Sequence, residues 1–178
     1  MAIVEPWREG APPACGVCRL HGDPDARQRW QIGGDNLWLL RHHPDPAPLA
    51  GWLLLDSARH LGGPVDFTSA EAAAWGRAVQ AASRLVRQLT GCERVYAIAF
   101  GEGARHLHQH LIPRHAAEEA SEAWAVADLY RAVADGRRPA ADPAAVEALV
   151  QQARTLWKDR GWDLDLNDEP NHPGFHWL

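Results

Sequence analysis

Residues 106–115 read His-Leu-His-Gln-His-Leu-Ile-Pro-Arg-His. A β-strand sends every second side chain to the same face. As a strand, this segment would set His106, His108 and His110 on one face, neighbouring Cα atoms about 6.5–7 Å apart. Imidazole can act as a nucleophile, shuttle protons or bind a metal near neutral pH. A solvated polar strand is the bland alternative. A second pair able to do chemistry is Cys15 and Cys18, in Cys15-Gly16-Val17-Cys18. Two thiolates at that spacing suit half of a metal site. A redox pair or two incidental cysteines are the other readings.

The elements that must position these residues are legible in outline. Residues 29–32 read as a strand, and Gly33-Gly34-Asp35-Asn36 as a turn. Leu37-Trp38-Leu39-Leu40 is an apolar run of strand length, and Trp52-Leu53-Leu54-Leu55 another, ending near Asp56. Between them, Pro44, Pro46, Pro48 and Gly51 demand a loop. Thr68-Ser69-Ala70-Glu71 fits a capping box. Ala72, Trp75, Val79, Ala82, Val86 and Leu89 then follow at helical spacing, with Gly91 as the stop. Residues 95–100 read as a strand that turns through 101–105 into the histidine segment. Residues 118–134 and 143–160 read as two helices, and residues 1–14 as an irregular lead-in. The order is that of an α+β domain.

The chain has 178 residues, 46% hydrophobic and 23% charged, as expected of a globular protein of one core. A net charge of −5 argues against a broad basic surface for long nucleic acids but leaves small anionic ligands open. No apolar run approaches the roughly 18–20 residues of a membrane helix, and no signal sequence opens the chain, so the expected location is the cytoplasm. His21, His42 and His43 are expected at the surface, and Cys92 in the core. Trp124, Trp157, Trp162 and Trp177 are expected to pack the C-terminal helices. His172 and His176 carry no assigned role.

The alternating histidines followed by Leu-Ile-Pro-Arg resemble the signature of the histidine-triad (HIT) family of nucleotide hydrolases and transferases. Gly51–His60 resembles that family's strand ending in Pro-Lys-Arg-His, and the Cys pair resembles that of its zinc-binding members. The resemblance covers residues 14–115. It implies a HIT-like fold: a twisted antiparallel sheet of about five strands with one long helix. Residues 116–178 would be a helical C-terminal extension of the same domain.

The resemblance also implies a mechanism. His108 would attack a nucleotide's α-phosphorus and form a nucleotidyl-histidine, with His110 contacting the transferring phosphate. Arg105 is a further phosphate contact by charge and position, and Asp45 a candidate for the ribose. Cys15, Cys18, His60 and His106 would hold a structural Zn²⁺, four protein ligands leaving no open position. The implied partner is a nucleotide or other small phosphorylated substrate, and the implied assembly a homodimer.

The chain departs from the family pattern in several places. The polar residue that helps the leaving group is missing from Gly101-Glu102-Gly103-Ala104-Arg105. The family's Asn is replaced by Ala99 or Phe100, and its histidine after Gly51 by Trp52. The ribose Asp falls in an altered segment, Arg41–Asp45. Two alternatives follow: a zinc-stabilised nucleotide-binding or interaction module without hydrolysis, or an enzyme of this fold with a non-nucleotide substrate.

Overall fold

A computed structural model describes residues 15–101 and 103–163. The lead-in, Glu102, His172, His176 and Trp177 lie outside the described residues. Two short helices open the fold, α1 (Gly16–Gly22) and α2 (Pro24–Trp30). Strands β1 (Gln31–Gly34), β2 (Trp38–His42) and β3 (Leu53–Ser57) follow, then helix α3 (Ser69–Thr90). Strands β4 (Arg94–Ala99) and β5 (His108–Arg114) complete an antiparallel sheet of order β1-β2-β3-β5-β4. Helices α4 (Val126–Ala134) and α5 (Pro143–Arg160) come last. The expected α+β architecture of five antiparallel strands and one long helix is therefore present.

Local chemistry explains the element ends. Thr68 Oγ1 accepts from the Glu71 amide while the Glu71 carboxylate accepts from the Thr68 amide, which satisfies two otherwise orphaned donors at the start of α3. Gly91 ends α3 at φ 64°, a left-handed conformation that glycine adopts without a Cβ penalty. The sequence gives no periodic signal for α1 or α2, which are seven residues each. Their caps were the available clue: Cys15 Sγ accepts from the Cys18 amide, and Asp23 from those of Asp25 and Ala26, with Pro24 just inside the helix. Arg29 and Trp30, expected in a strand, end α2 instead.

The sheet separates two apolar layers. Leu53, Leu55 and Leu111 face α3, whose Ala78, Ala82, Leu85 and Val86 are buried. Helix α5 joins that layer through Val146, Val150 and Ala153. Its Arg154 also donates to the carbonyls of Gln31, at 2.8 Å, and Gln28, at 2.6 Å. On the opposite face Trp52, Ile112 and Val126 form a smaller cluster. Trp157 and Trp162 pack edge to face, 4.4 Å between centroids. Trp124, expected to pack, is 94% exposed.

Gly33 leaves room for the Trp157 indole, which a Cβ at that position would strike. Gly33→Ala is expected to cost about 1–3 kcal/mol through overpacking. Urea unfolding would show it, and an unchanged midpoint would contradict this docking of α5.

Candidate active site and metal cluster

Strand register brings the site together. β3 pairs with β5 so that Leu54 lies opposite His110 and Asp56 opposite His108. β2 extends these rows, Arg41 opposite Leu54 and Leu39 opposite Asp56. Strand β5 begins at His108, so His106 precedes the ladder. The three histidines have different surroundings.

His106 is 1% exposed. Its Nε2 lies 2.8 Å from the Ser57 carbonyl, which can only accept, so Nε2 carries the proton and Nδ1 the lone pair. That Nδ1 lies 3.6 Å from Cys15 Sγ and 3.3 Å from Cys18 Sγ, and His60 Nδ1 lies 3.4 Å from Cys18 Sγ. The four ligand atoms are all within 4.8 Å of one another. Bond lengths of about 2.3 Å to sulfur and 2.0–2.1 Å to nitrogen put tetrahedral N and S ligands roughly 3.6 Å apart. The donor set and its spacing fit a metal ion, and the Ser57 carbonyl supplies the outer hydrogen bond that orients such a ligand. In the protein alone, burial pushes the Cys18 thiol up to about 12, helped by its bond to Cys15. Burial also lowers His106 to about 4.

His108 is half-buried at a cavity of about 750 Å³. Its Nδ1 donates to the His106 carbonyl at 2.5 Å, which leaves the Nε2 lone pair free to act. His110 has the opposite tautomer. The Trp52 indole N–H donates to His110 Nδ1 at 2.9 Å, so the proton sits on Nε2, a buried atom with no acceptor among the described residues. Trp52, which stands where the family pattern has a histidine, thus aims a neutral N–H donor. Burial is the main cause that lowers His110 to about 3, followed by the positive charge of neighbouring groups including Arg41.

A second polar cluster has no motif in the sequence to mark it. Asp56, wholly buried, accepts from His21 Nε2 at 2.9 Å, from Arg41 Nε at 2.6 Å and from Arg41 Nη2 at 3.3 Å. Burial opposes ionisation of Asp56, but the guanidinium and His21 together hold its carboxyl well below the usual range. The available signal was a lone Arg in one apolar strand and a lone Asp in the next. His21, His42 and His43 are buried, against the surface placement expected of them. His21 anchors α1 to Asp56. His42 bridges the loop after β2, its Nδ1 donating to the His43 carbonyl and its Nε2 accepting from the Gly51 amide. His43 lines the cavity.

Helices complete the walls, α2 through Trp30. Val17, Arg19 and Leu20 of α1 and Tyr130 and Arg131 of α4 line the cavity. Tyr130 sits 6.1 Å from His110 and 5.5 Å from His43 between ring centroids. Asp45 also lines it and pairs with Arg29 at 3.1 Å. Arg105 is exposed and is not among the lining residues.

The same fold recurs in solved structures. A histidine triad protein from Bradyrhizobium japonicum matches at 22% identity and TM-score 0.54, over 75% of this chain and 94% of that one. The chain has the histidine-triad fold. A Zn-bound histidine triad family protein from Mycobacterium smegmatis matches at 15% identity and TM-score 0.51, over 72% of this chain and 86% of that one. A Hit-like protein involved in cell-cycle regulation from Bartonella henselae, with an unknown ligand, matches at 15% identity and TM-score 0.52, over 70% and 84% of the two chains. No protein-family model and no curated protein matches the sequence. Among the described residues, no helix of this histidine-triad fold is long and apolar enough to cross a membrane.

The buried imidazoles make a signed prediction for stability. Burial, the largest cause in each case, lowers His42, and takes His43 to about 4 and His110 to about 3. Their reference value is about 6.5. Below that pH the unfolded chain binds protons that the folded chain refuses, so stability falls with acid. Each such histidine can contribute up to about 1.4 kcal/mol per pH unit between about 6.5 and its folded value. Urea unfolding at pH 7.5, 6 and 5 should show a falling free energy. A flat profile over that range would contradict it.

Proposed function

We propose that the chain is a nucleotide hydrolase or nucleotidyl transferase acting at an α-phosphate through a nucleotidyl-histidine on His108. The observation that carries this reading is the paired tautomer control: a His108 Nε2 lone pair beside a buried His110 Nε2–H that lacks an acceptor. A nucleophile next to a donor aimed at developing charge is what phosphoryl transfer requires.

In the first step the His108 Nε2 lone pair forms a bond to the α-phosphorus. The bond from phosphorus to the leaving oxygen or nitrogen breaks, and its electron pair departs with that atom, which takes a proton from solvent. Nδ1 keeps its proton toward the His106 carbonyl throughout. Water, or another acceptor, then attacks the phosphorus and gives up a proton, and the phosphorus–nitrogen electron pair returns to Nε2. His110 donates to a phosphate oxygen in both steps. Asp45 is proposed for the ribose, and Arg105 for a part of the substrate beyond the cavity rim.

Cys15, Cys18, His60 and His106 would hold Zn²⁺, which supplies a closed crosslink rather than an open coordination position. The Zn-bound state of the Mycobacterium smegmatis protein of the same fold supports that choice of metal. A homodimer in the cytoplasm is the proposed context. Release of nucleotide from a dinucleoside polyphosphate or a nucleoside phosphoramidate tests the activity, and mass spectrometry of the quenched enzyme tests for the adduct on His108. A lack of hydroxyl or amide side chains at 101–105 favours a second reading, a module that binds nucleotide without turnover. Saturable nucleotide binding with no turnover of either substrate would select that reading.

A further inference from the structure

Arg41 has no role in the chemistry just described, yet its placement is costly. It stands in β2 among apolar neighbours, with its side chain 8% exposed. Its bonds to Asp56 carry the guanidinium from its own row toward the row of Asp56 and His108, one strand from the nucleophile. Adjacent strands lie about 4.7–4.9 Å apart. Nε and Nη2 are satisfied by Asp56, but Nη1 is buried with no partner among the described residues. A buried donor without an acceptor is destabilising, so this arrangement is incomplete without a further oxygen. His110, which like Arg41 lines the His108 cavity, also has a buried nitrogen, Nε2, without an acceptor among the described residues. Two residues that line the cavity beside His108 thus each carry a buried donor that lacks a partner among the described residues.

The charges around the cavity agree with an anion. Among the described residues, Arg19, Arg41 and Arg131 line it against the single carboxylate of Asp45, although the whole chain carries −5. Arg131 is engaged by Asp128, at 2.5 Å, and Asp45 by Arg29. Asp56 holds Arg41 from beneath and is itself bonded to His21, so the guanidinium is fixed in place before any ligand arrives.

We propose that Arg41 is a second anion contact in the His108 cavity, and that it makes the site favour substrates whose leaving group is itself a phosphate. One phosphate at His108 and His110 would be the group transferred. The next phosphate would take the Arg41 Nη1 donor and leave with charge on the bridging oxygen, where the guanidinium offsets it. A nucleoside phosphoramidate, whose leaving group is an amine, has no group for Arg41. Leaving-group selection of this kind rests on the nucleotidyl-transfer reading, whereas anion binding by Arg41 does not.

Arg41→Gln alone would strand the buried Asp56 carboxylate, so the first variant is Arg41→Gln with Asp56→Asn, which keeps a neutral hydrogen-bonded pair. The second variant is Arg41→Lys, which keeps the charge but loses the planar fork. Inorganic pyrophosphate and inorganic phosphate are titrated against the full chain by calorimetry. Pyrophosphate is expected to bind the wild type and His108→Ala more tightly than phosphate does. Its affinity should fall roughly 10- to 100-fold in the double variant, as for loss of a hydrogen bond to a charged group, and by a smaller factor in Arg41→Lys. In turnover, the ratio of kcat/KM for a dinucleoside polyphosphate to that for a phosphoramidate should fall by a similar factor. Unchanged pyrophosphate affinity in both variants overturns the proposal, as does an equal loss on the two substrates. If the wild type turns over neither substrate but binds pyrophosphate through Arg41, the hydrolase reading fails and the anion site stands. If the double variant does not fold, the Arg41→Lys titration decides.

Discussion

His108→Ala is expected to reduce nucleotide release by roughly 10³-fold or more, the scale on which enzymes fail when a nucleophile is removed. The expectation rests on the Nδ1–H bond to the His106 carbonyl, which leaves Nε2 as the attacking atom. No other described imidazole in the cavity is so placed. The His110 Nε2 holds a proton, because Nδ1 accepts from Trp52. His43 donates from Nδ1 to the Pro44 carbonyl, but it packs edge to face on Trp52 and Tyr130. The variant should retain the fold, since His108 is half-buried and loses one backbone hydrogen bond and a ring contact with His110. Initial rates on both substrate types, with intact-mass detection of an adduct, would check it. Equal turnover by wild type and His108→Ala would rule out the covalent route.

Stripping the proposed Zn²⁺ from the Cys15, Cys18, His60 and His106 cluster is expected to have the largest effect on stability. The four-residue cluster joins α1 to the segments after β3 and before β5, three pieces of chain far apart in sequence. An ion held at 1,000 times its dissociation constant contributes about 4 kcal/mol, which for a domain of this size is roughly 10 °C in Tm. Chelation, or Cys15→Ser with Cys18→Ser, should therefore lower Tm by about that amount, and zinc should restore it for the wild type alone. Because burial pushes the Cys18 thiol up to about 12 without an ion, metal uptake should release protons and weaken in acid. Helix α1 would keep the His21 bond to Asp56 and its packing against Ala104. Its Val17, Arg19 and Leu20 also wall the cavity, so activity should fall with the metal. A zinc-loaded protein whose Tm is the same before and after chelation would dismiss the crosslink.

The residues that the sequence made legible share one property: their information is local. The capping box at Thr68 and Glu71, the stop at Gly91 and the apolar spacing between them specify α3 with no help from the rest of the fold. The alternation at 106–110 marks a strand, although pairing begins only at His108, because the segment before it bends to bond Leu61 and Ser57. Helices α1 and α2 were not legible, since seven residues are too few to display a period.

Cys15, Cys18, His60 and His106 could be named from their motifs, and the fold brings those four together. Arg41, His21 and Asp56 could not be named, because no motif joins them. Arg41 and Asp56 are 15 residues apart and meet through the register of β2 on β3; His21 is 35 from Asp56 and meets it only when α1 docks. Tyr130 reaches the cavity from a helix that follows the histidine strand. Sequence alone therefore determined the strand of histidines, the long helix and the identity of the chemistry-bearing side chains, all of which depend on neighbours within a few positions. The tertiary structure decided which imidazole nitrogen holds a proton, which donors lack acceptors and which charges are buried. Those properties belong to atoms brought together across strands and helices, and burial is what gives them their energetic weight.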